Sequence, residues 1–194
     1  MKLKTSITIL GGCLIIFVFI MLPIVLSVQD KKEDNVASYT GSSFTLTDVN
    51  NNPITEKSFQ GPATALFFGF THCPDVCPMT LNKLNIISEQ LKKDQNKLKI
   101  FFISIDPERD TPEVMRDYLS SFGNQFIGIT GEPEKIFKLS QSWGIASQKI
   151  FSENGEYTVN HSSPIILLKN GKYVDRITHK DDLKRSIKII KKYL

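Results

Sequence analysis

The sequence predicts an α/β fold in which helices flank a mixed and mainly parallel central sheet. Two runs, TALFFGF (64–70) and KLKIFFISI (97–105), are rich in large apolar residues, as expected for strands that are buried on both faces. A helical pattern follows each of these runs. Strands that alternate with helices are joined by crossovers, and crossovers make neighbouring strands parallel.

A hairpin and a long helix are predicted around the first of these strands. Residues 43–55 alternate apolar and polar side chains around an Asn-rich turn, which is typical of two short antiparallel strands. The first helix is predicted from about Pro78 to Lys93, because its apolar residues recur at helical spacing. These residues are Leu81, Leu84, Ile87 and Leu91.

The remaining helices are predicted mainly from the residues at their ends. Thr111 and Pro112 are types preferred at the N-cap and at the first helical position, and Gly123 is a type that ends helices. The same signals predict a helix between Pro133 and Gly144, after the short strand FIGIT (126–130). The last helix, residues 181–194, is predicted from an apolar stripe, which consists of Leu183, Ile187, Ile190 and Leu194.

Two hairpins are predicted between the third helix and the last one. The first spans Gln148 to Val159. The second is PIILLKNGKYVDRI (164–177), in which Asn170 and Gly171 are the residue types of a two-residue turn.

The chain is predicted to have three parts: a membrane anchor (1–29), a polar tether (30–41) and a folded domain (42–194). The run from Ser6 to Val28 carries no charge, and about 20 apolar residues suffice to cross a bilayer. Lys2 and Lys4 precede the run and favour a domain outside the cytoplasm. We therefore expect a single-pass protein of a bacterial inner membrane whose domain faces the periplasm.

A lipoprotein is the alternative for the N-terminus. The motif LGGC ends at Cys13 and resembles a lipoprotein processing site. It would leave only about four apolar residues before the cysteine, which is too few for the core of a signal peptide. Cys13 is therefore interpreted as an inert thiol within the membrane.

The net charge of +4 arises mainly near the C-terminus, where six basic residues are Lys180, Lys184, Arg185, Lys188, Lys191 and Lys192. Aromatic or Gly-rich partners that would indicate a nucleic-acid surface do not accompany these residues. The charges are interpreted as a solvated helix face, or alternatively as a contact for anionic lipid or an acidic partner.

Cys73 and Cys77 follow the first buried strand and are four residues apart. If Pro78 begins the helix, Cys77 lies at the positive end of the helix dipole, which would favour its thiolate. Three kinds of chemistry suit the pair: a structural disulfide, dithiol redox exchange, or a copper site completed by a histidine. Two thiols at the end of a central strand predict a thioredoxin-like fold.

Three histidines could complete a metal site. His72 is adjacent to Cys73, but strand geometry would point its side chain away. His179 borders the basic helix and is interpreted as a surface residue. His161 precedes a core strand that, in a thioredoxin-like fold, runs beside the cysteine-bearing strand. His161 is therefore the preferred candidate.

Four segments resemble the Sco/SenC family: FFGFTHCPDVCPMTL, SIDPERDTPE, FIGITG and YTVNHS. Proteins of this family are membrane-anchored, thioredoxin-like copper proteins that help assemble the dinuclear copper centre of cytochrome c oxidase. The resemblance implies that Cys73, Cys77 and His161 ligate copper, as Cu(I) or Cu(II). It also implies that the partner is the copper-site subunit of the oxidase.

The chain departs from the family pattern at two positions. Asn160 stands where an Asp commonly precedes the histidine, and it would still accept hydrogen bonds that orient His161. Pro164 stands where thioredoxins place a cis-proline, and it also suits the start of a strand. The family's acidic loop falls on Asp106 to Asp110, and within it Asp106 either tunes the nearby site or caps its own loop.

These observations predict a copper metallochaperone without catalytic turnover. The alternative is a thiol-disulfide oxidoreductase in which Cys73 and Cys77 keep the oxidase cysteines reduced. His161 distinguishes the two, because metal binding requires it and thiol exchange does not. A peroxiredoxin-like site is disfavoured, because the spacing from Thr71 to Cys73 is one residue short and Phe67 replaces the expected proline.

Overall fold

The structure, a computed structural model, describes residues 43–194. The predicted anchor (1–29) and tether (30–41) lie outside this range and remain predictions. Between residues 43 and 194, no helix is both long and apolar enough to cross a bilayer.

The described residues form nine strands and four α-helices. The strands are β1 (Thr45–Asp48), β2 (Pro53–Thr55), β3 (Ala63–Gly69), β4 (Leu98–Ser104), β5 (Phe126–Thr130), β6 (Ser147–Phe151), β7 (Tyr157–His161), β8 (Ile165–Lys169) and β9 (Lys172–Ile177). The helices are α1 (Val76–Leu91), α2 (Pro112–Ser120), α3 (Pro133–Ser142) and α4 (Leu183–Lys191). All the predicted hairpins and helices are present, with boundaries that differ by a few residues.

The main sheet has seven strands in the order β2-β1-β5-β4-β3-β8-β9. Only the pairs β3–β4 and β4–β5 are parallel, and the other four pairs are antiparallel. The sheet is mixed, as predicted, but the prediction that it is mainly parallel is wrong. The reason is that hairpins, which can join only antiparallel strands, supply both edges of the sheet.

The core is built around β3 and β4, the two strands predicted to be buried. Every residue of β3 is buried, and in β4 only Lys99 is exposed. The apolar stripe of α1 is also buried as predicted. This helix begins at Val76, two residues before the predicted start, so Cys77 lies in its first turn.

Hairpin β6–β7 forms a sheet of its own, with Ser147 opposite His161. Strand β8 then runs antiparallel to β3, which confirms the predicted neighbourhood of the cysteine-bearing strand. The turn from β8 to β9 has positive φ angles at Asn170 (52°) and Gly171 (76°), as a type I′ hairpin turn requires. The fold thereby places the end of β7 near the end of β3.

Candidate metal centre

The cysteine loop connects β3 to α1 and holds the two thiols together. The Cys73 amide donates to the Phe70 carbonyl at 3.3 Å, which turns the chain immediately after the strand. The side chains of Cys73 and Cys77 are hydrogen-bonded to each other, and both cysteines are free thiols. Cys73 is half-buried, whereas Cys77 has no exposed surface.

Burial dominates the electrostatics of Cys77. Desolvation raises the pKa of the Cys77 thiol far above its usual range, and the neighbouring Cys73 acts in the same direction. A main-chain hydrogen bond from Phe70 favours the thiolate, but it is the weaker influence. The expectation that the start of helix α1 favours the Cys77 thiolate is therefore not met in the metal-free protein, because the loss of solvation is the dominant influence on the pKa of the thiol.

Gly69, the last residue of β3, makes room for the Cys77 thiol. A Cβ atom at this position would lie 2.8 Å from Cys77 Sγ and 2.8 Å from Phe102 Cε2. We expect Gly69→Ala to lower the free energy of unfolding by about 1 to 3 kcal/mol, because a buried methyl group must displace both side chains. Urea unfolding measures this loss, and the rate of Cys77 alkylation measures how far the thiol is displaced.

Gly155→Ala is the control for this substitution. Its Cβ would meet nothing within 4 Å, so only the strain of its φ of +84° remains, a cost of about 1 kcal/mol. We expect Gly69→Ala to lose more stability than Gly155→Ala. We also expect the Cys77 thiol to become more accessible in Gly69→Ala and to stay unchanged in Gly155→Ala. Equal behaviour of the two variants would show that Gly69 does not shape the thiol's position.

The His161 ring is held at the end of β7. Its Nδ1 atom lies 2.9 Å from the carbonyl oxygen of Ser162. Because a carbonyl can only accept, Nδ1 carries the proton, and the lone pair of Nε2 is available to a metal. Burial lowers the pKa of His161, which favours the neutral imidazole that metal binding requires.

The pKa of His161 predicts a pH dependence of stability. A histidine whose folded pKa is lowered binds protons more readily when unfolded, so protonation destabilises the fold as the pH falls below about 6.5. We expect the wild type to lose more stability than His161→Gln between pH 7.5 and pH 5, as measured by urea unfolding. Parallel curves for the two proteins would contradict the lowered pKa.

Phe70 is the common neighbour of the three predicted ligands. Its main chain bonds to Cys73 and Cys77, and its ring meets the His161 ring edge-on, with the centroids 5.8 Å apart. Across residues 43–194, however, no group of three or more His, Cys, Asp or Glu side chains is already close enough to hold a metal ion. The structure thus pairs the two thiols and packs His161 against Phe70, and that all three residues ligate one ion remains a prediction.

Asp110 anchors the start of the cysteine loop. Its buried carboxylate accepts hydrogen bonds from the Thr71 amide (3.2 Å), the Thr71 hydroxyl (2.6 Å) and the Ser104 hydroxyl (2.6 Å). Burial raises the pKa of Asp110, while these three bonds act in the opposite direction. Sequence reasoning did not give Asp110 this role, although an acidic residue close after a buried strand was a signal.

Asp106 links the acidic loop to β7. Its carboxylate accepts bonds from the Arg109 and Tyr157 side chains, at 2.5 and 2.8 Å, and none from the main chain of its own loop. The interpretation of Asp106 as a loop cap therefore does not hold. Neither Arg109 nor Tyr157 was singled out from the sequence, because only the folded chain brings them together.

The other polar candidates are exposed side chains. His72 is exposed and contacts the Thr71 hydroxyl at 3.0 Å, and His179 is an exposed residue, as predicted. Asn160 is also exposed, so the predicted orienting bond to His161 comes instead from Ser162. No peptide bond within residues 43–194 is cis, so Pro164 does not reproduce the cis-proline of thioredoxins.

A mixed sheet flanked by helices, with a Cys-x-x-x-Cys pair at the end of a central strand, defines a thioredoxin-like protein with a dithiol site. The chain belongs to the SCO1/SenC family, whose model matches residues 32–194. This result confirms the resemblance found in the sequence.

Individual relatives agree with this assignment. The mitochondrial protein SCO2 of Saccharomyces cerevisiae is 35% identical over 158 residues, which are 79% of this chain and 52% of that protein. A SCO2-like protein of Rickettsia typhi is 37% identical over 73% of this chain and 70% of its own length. The structure of Bradyrhizobium japonicum ScoI with copper bound is 39% identical, covers 79% of this chain and 99% of that chain, and has a TM-score of 0.74. The chain thus spans about half of the yeast relative.

Proposed function

We propose that the protein binds one copper ion through Cys73, Cys77 and His161 and delivers it to a respiratory cytochrome c oxidase. The observation that carries the proposal is that all three residues contact Phe70: the Cys73 amide and the Cys77 thiol bond to its main chain, and the His161 ring packs against its ring. Two thiolates and an imidazole form a soft ligand set that suits Cu(I). The related ScoI of Bradyrhizobium japonicum, solved with copper bound, supports the same cargo.

Binding exchanges protons for copper. The metal-free site holds two mutually hydrogen-bonded thiols, of which Cys77 strongly prefers to be protonated. A coordinated thiol is deprotonated, so Cu(I) would displace both protons and thereby offset the cost of burying thiolate charge. His161 would contribute neutral Nε2 without losing its bond to Ser162.

Delivery would proceed by ligand exchange with the cysteines of the oxidase's copper-site subunit. Three protein ligands leave a coordination position for an incoming thiolate, so the ion never needs to be free. The proposal includes the predicted N-terminal anchor, which would keep the domain at the periplasmic face of a bacterial inner membrane. Membership in the SCO1/SenC family supports the oxidase as the partner.

A transfer experiment tests this function. The full-length chain, loaded anaerobically with one equivalent of Cu(I), is mixed with the reduced, copper-free copper-site domain of the oxidase subunit. We expect the domain to gain copper faster than from a Cu(I)-chelator complex at the same free copper concentration, as measured by metal analysis of the separated domain. Equal rates from protein and chelator would contradict a delivery role.

Thiol-disulfide exchange is the second candidate function, and the unequal exposure of the two cysteines favours it. The half-buried Cys73 thiolate would attack a partner disulfide, forming a mixed disulfide and releasing one partner thiolate. Cys77 would then attack Cys73 Sγ and release the second thiolate. The partner gains two electrons, and Cys73 and Cys77 end as a disulfide.

This order of attack predicts the alkylation rates of the two thiols. We expect iodoacetamide to modify Cys73 at least about tenfold faster than Cys77, because Cys77 is buried and each unit of raised pKa lowers the thiolate fraction tenfold. Mass spectrometry of peptides from the reduced, copper-free protein measures both rates. Faster modification of Cys77 would reverse the proposed roles.

A further inference from the structure

The acidic loop, Asp106 to Asp110, contacts both sides of the candidate site. On one side, Asp110 anchors Thr71, which lies two residues before Cys73. On the other side, the adjacent residue Arg109 contacts Tyr157, which lies four residues before His161 on β7. A single short segment therefore connects the cysteine loop to the strand that carries the histidine.

Arg109 contacts both the main chain and the ring of Tyr157 on that strand. Its Nη1 atom donates to the Tyr157 carbonyl at 2.9 Å, and its guanidinium carbon lies 3.8 Å from the centroid of the Tyr157 ring. Its Nε atom lies 2.5 Å from the fully buried carboxylate of Asp106, which also accepts the Tyr157 hydroxyl. Arg109, Asp106 and Tyr157 are thus mutually connected by charge-assisted and cation–π contacts.

These side-chain contacts matter because hairpin β6–β7 pairs with no strand of the seven-stranded sheet. Its position therefore depends on side chains rather than on a continuous ladder of main-chain hydrogen bonds. A second link joins the hairpin to the same loop, since Lys149 on β6 lies 2.6 Å from Glu108. That pair is substantially exposed and is expected to contribute less than the Arg109 contacts.

We propose that Arg109 is a positioning residue, which sets where His161 lies relative to Cys73 and Cys77 and thereby sets copper affinity. The proposal rests on the proposed function. Arg109 touches none of the three ligands in the contacts given above. It acts through the main chain of Tyr157, which continues along β7 to His161, whose ring packs against Phe70.

A double-mutant cycle tests this indirect role. Cu(I) affinity of the full-length chain is measured by chelator competition for wild type, Arg109→Lys, His161→Ala and the double variant. We expect Arg109→Lys to weaken binding about tenfold in the wild type, as for other residues that orient a ligand, and less than about twofold when His161 is absent. Equal losses in both backgrounds would overturn the proposal, because Arg109 would then act independently of His161.

Tyr157→Phe provides a milder second variant. It removes the hydroxyl bond to Asp106 but keeps the ring and the main-chain carbonyl that Arg109 contacts. We expect a loss of about threefold in Cu(I) affinity that again disappears when His161 is replaced. A threefold loss that persists without His161 would count against the proposal.

NMR of the copper-free protein gives a readout that does not involve the metal. The ring current of Phe70 shifts the His161 ring protons, so Arg109→Lys should move these resonances. Ile190→Val, a fully buried change in helix α4, is the control for a general loss of stability and should leave them in place. Unmoved His161 resonances in Arg109→Lys would overturn the proposal.

The two readouts separate this proposal from the proposed function. If His161→Ala binds Cu(I) as tightly as wild type, the proposed function fails, and the copper part of this proposal fails with it. The His161 ring shift still decides in that case whether Arg109 positions the imidazole. If His161→Ala weakens binding but the cycle is additive, the proposed function stands and Arg109 has no positioning role.

Discussion

Replacing Cys77 with serine is expected to lower Cu(I) affinity by about a thousandfold or more, which corresponds to about 4.1 kcal/mol. Serine has nearly the same shape as cysteine, but its hydroxyl is a hard and weakly acidic ligand that Cu(I) does not favour. Because Cys77 is fully buried beside Gly69, no neighbouring side chain can replace it as a copper ligand unless β3 or α1 moves. Anaerobic competition with a Cu(I) chelator measures the loss.

Ser88→Ala is the matched control for this prediction. Ser88 is buried in the same helix, α1, but lies outside the cysteine loop, so its replacement should change Cu(I) affinity less than twofold. A Cys77→Ser protein that binds Cu(I) within tenfold of wild type would show that the copper site does not include Cys77. The dithiol exchange function would then be the better account of the cysteine pair.

Replacing Asp110 with alanine is expected to lower the free energy of unfolding by about 3 kcal/mol. The substitution leaves the Thr71 amide and the Thr71 and Ser104 hydroxyls without their buried acceptor, and each unsatisfied buried donor costs about 1 to 3 kcal/mol. The two hydroxyls can rotate toward other hydrogen-bond partners. The summed cost of the three donors is therefore expected to lie near the lower end of its range. Urea unfolding of the copper-free protein measures this change.

Asp110→Asn separates the loss of acceptors from the loss of charge. The amide keeps one oxygen for Thr71, and its NH₂ group can donate to the Ser104 hydroxyl, so we expect a loss of about 1 kcal/mol. We also expect faster alkylation of Cys77 in Asp110→Ala than in Asp110→Asn, because only the first releases the cysteine loop. Unchanged stability of Asp110→Ala would contradict the anchoring role.

Local sequence patterns predicted most of the secondary structure. Thr111 caps α2, Pro133 begins α3, and Asn170-Gly171 forms the β8–β9 turn, because each of these residues satisfies a requirement within a few positions of itself. The direction of β8 was harder to predict. It enters the sheet from a hairpin rather than from a helix, so it runs antiparallel to β3, and no residue within the strand records that direction.

The candidate site was predictable where its residues carry chemistry of their own. Cys73, Cys77 and His161 are recognisable metal ligands and redox groups, and the fold places them around Phe70. The protonation state of Cys77 was not predictable, because it depends on how deeply the first turn of α1 is buried against β3.

The supporting residues were also beyond the sequence patterns. Arg109 and Tyr157 are 48 positions apart, and their pairing follows from how hairpin β6–β7 lies against the acidic loop. Asp110 and Thr71 are 39 positions apart and meet only because β3 and β4 are parallel neighbours that end at the same edge of the sheet. Neither pair shows a spacing that would indicate contact.

The central claim is that one copper ion is held by Cys73, Cys77 and His161. X-ray absorption at the copper edge of the one-to-one Cu(I) complex tests it most directly, because the spectrum distinguishes sulfur from nitrogen ligands. We predict two sulfur ligands and one imidazole nitrogen in the wild type, and loss of the nitrogen in His161→Ala. A wild-type spectrum with sulfur ligands alone, identical to that of His161→Ala, would contradict the claim.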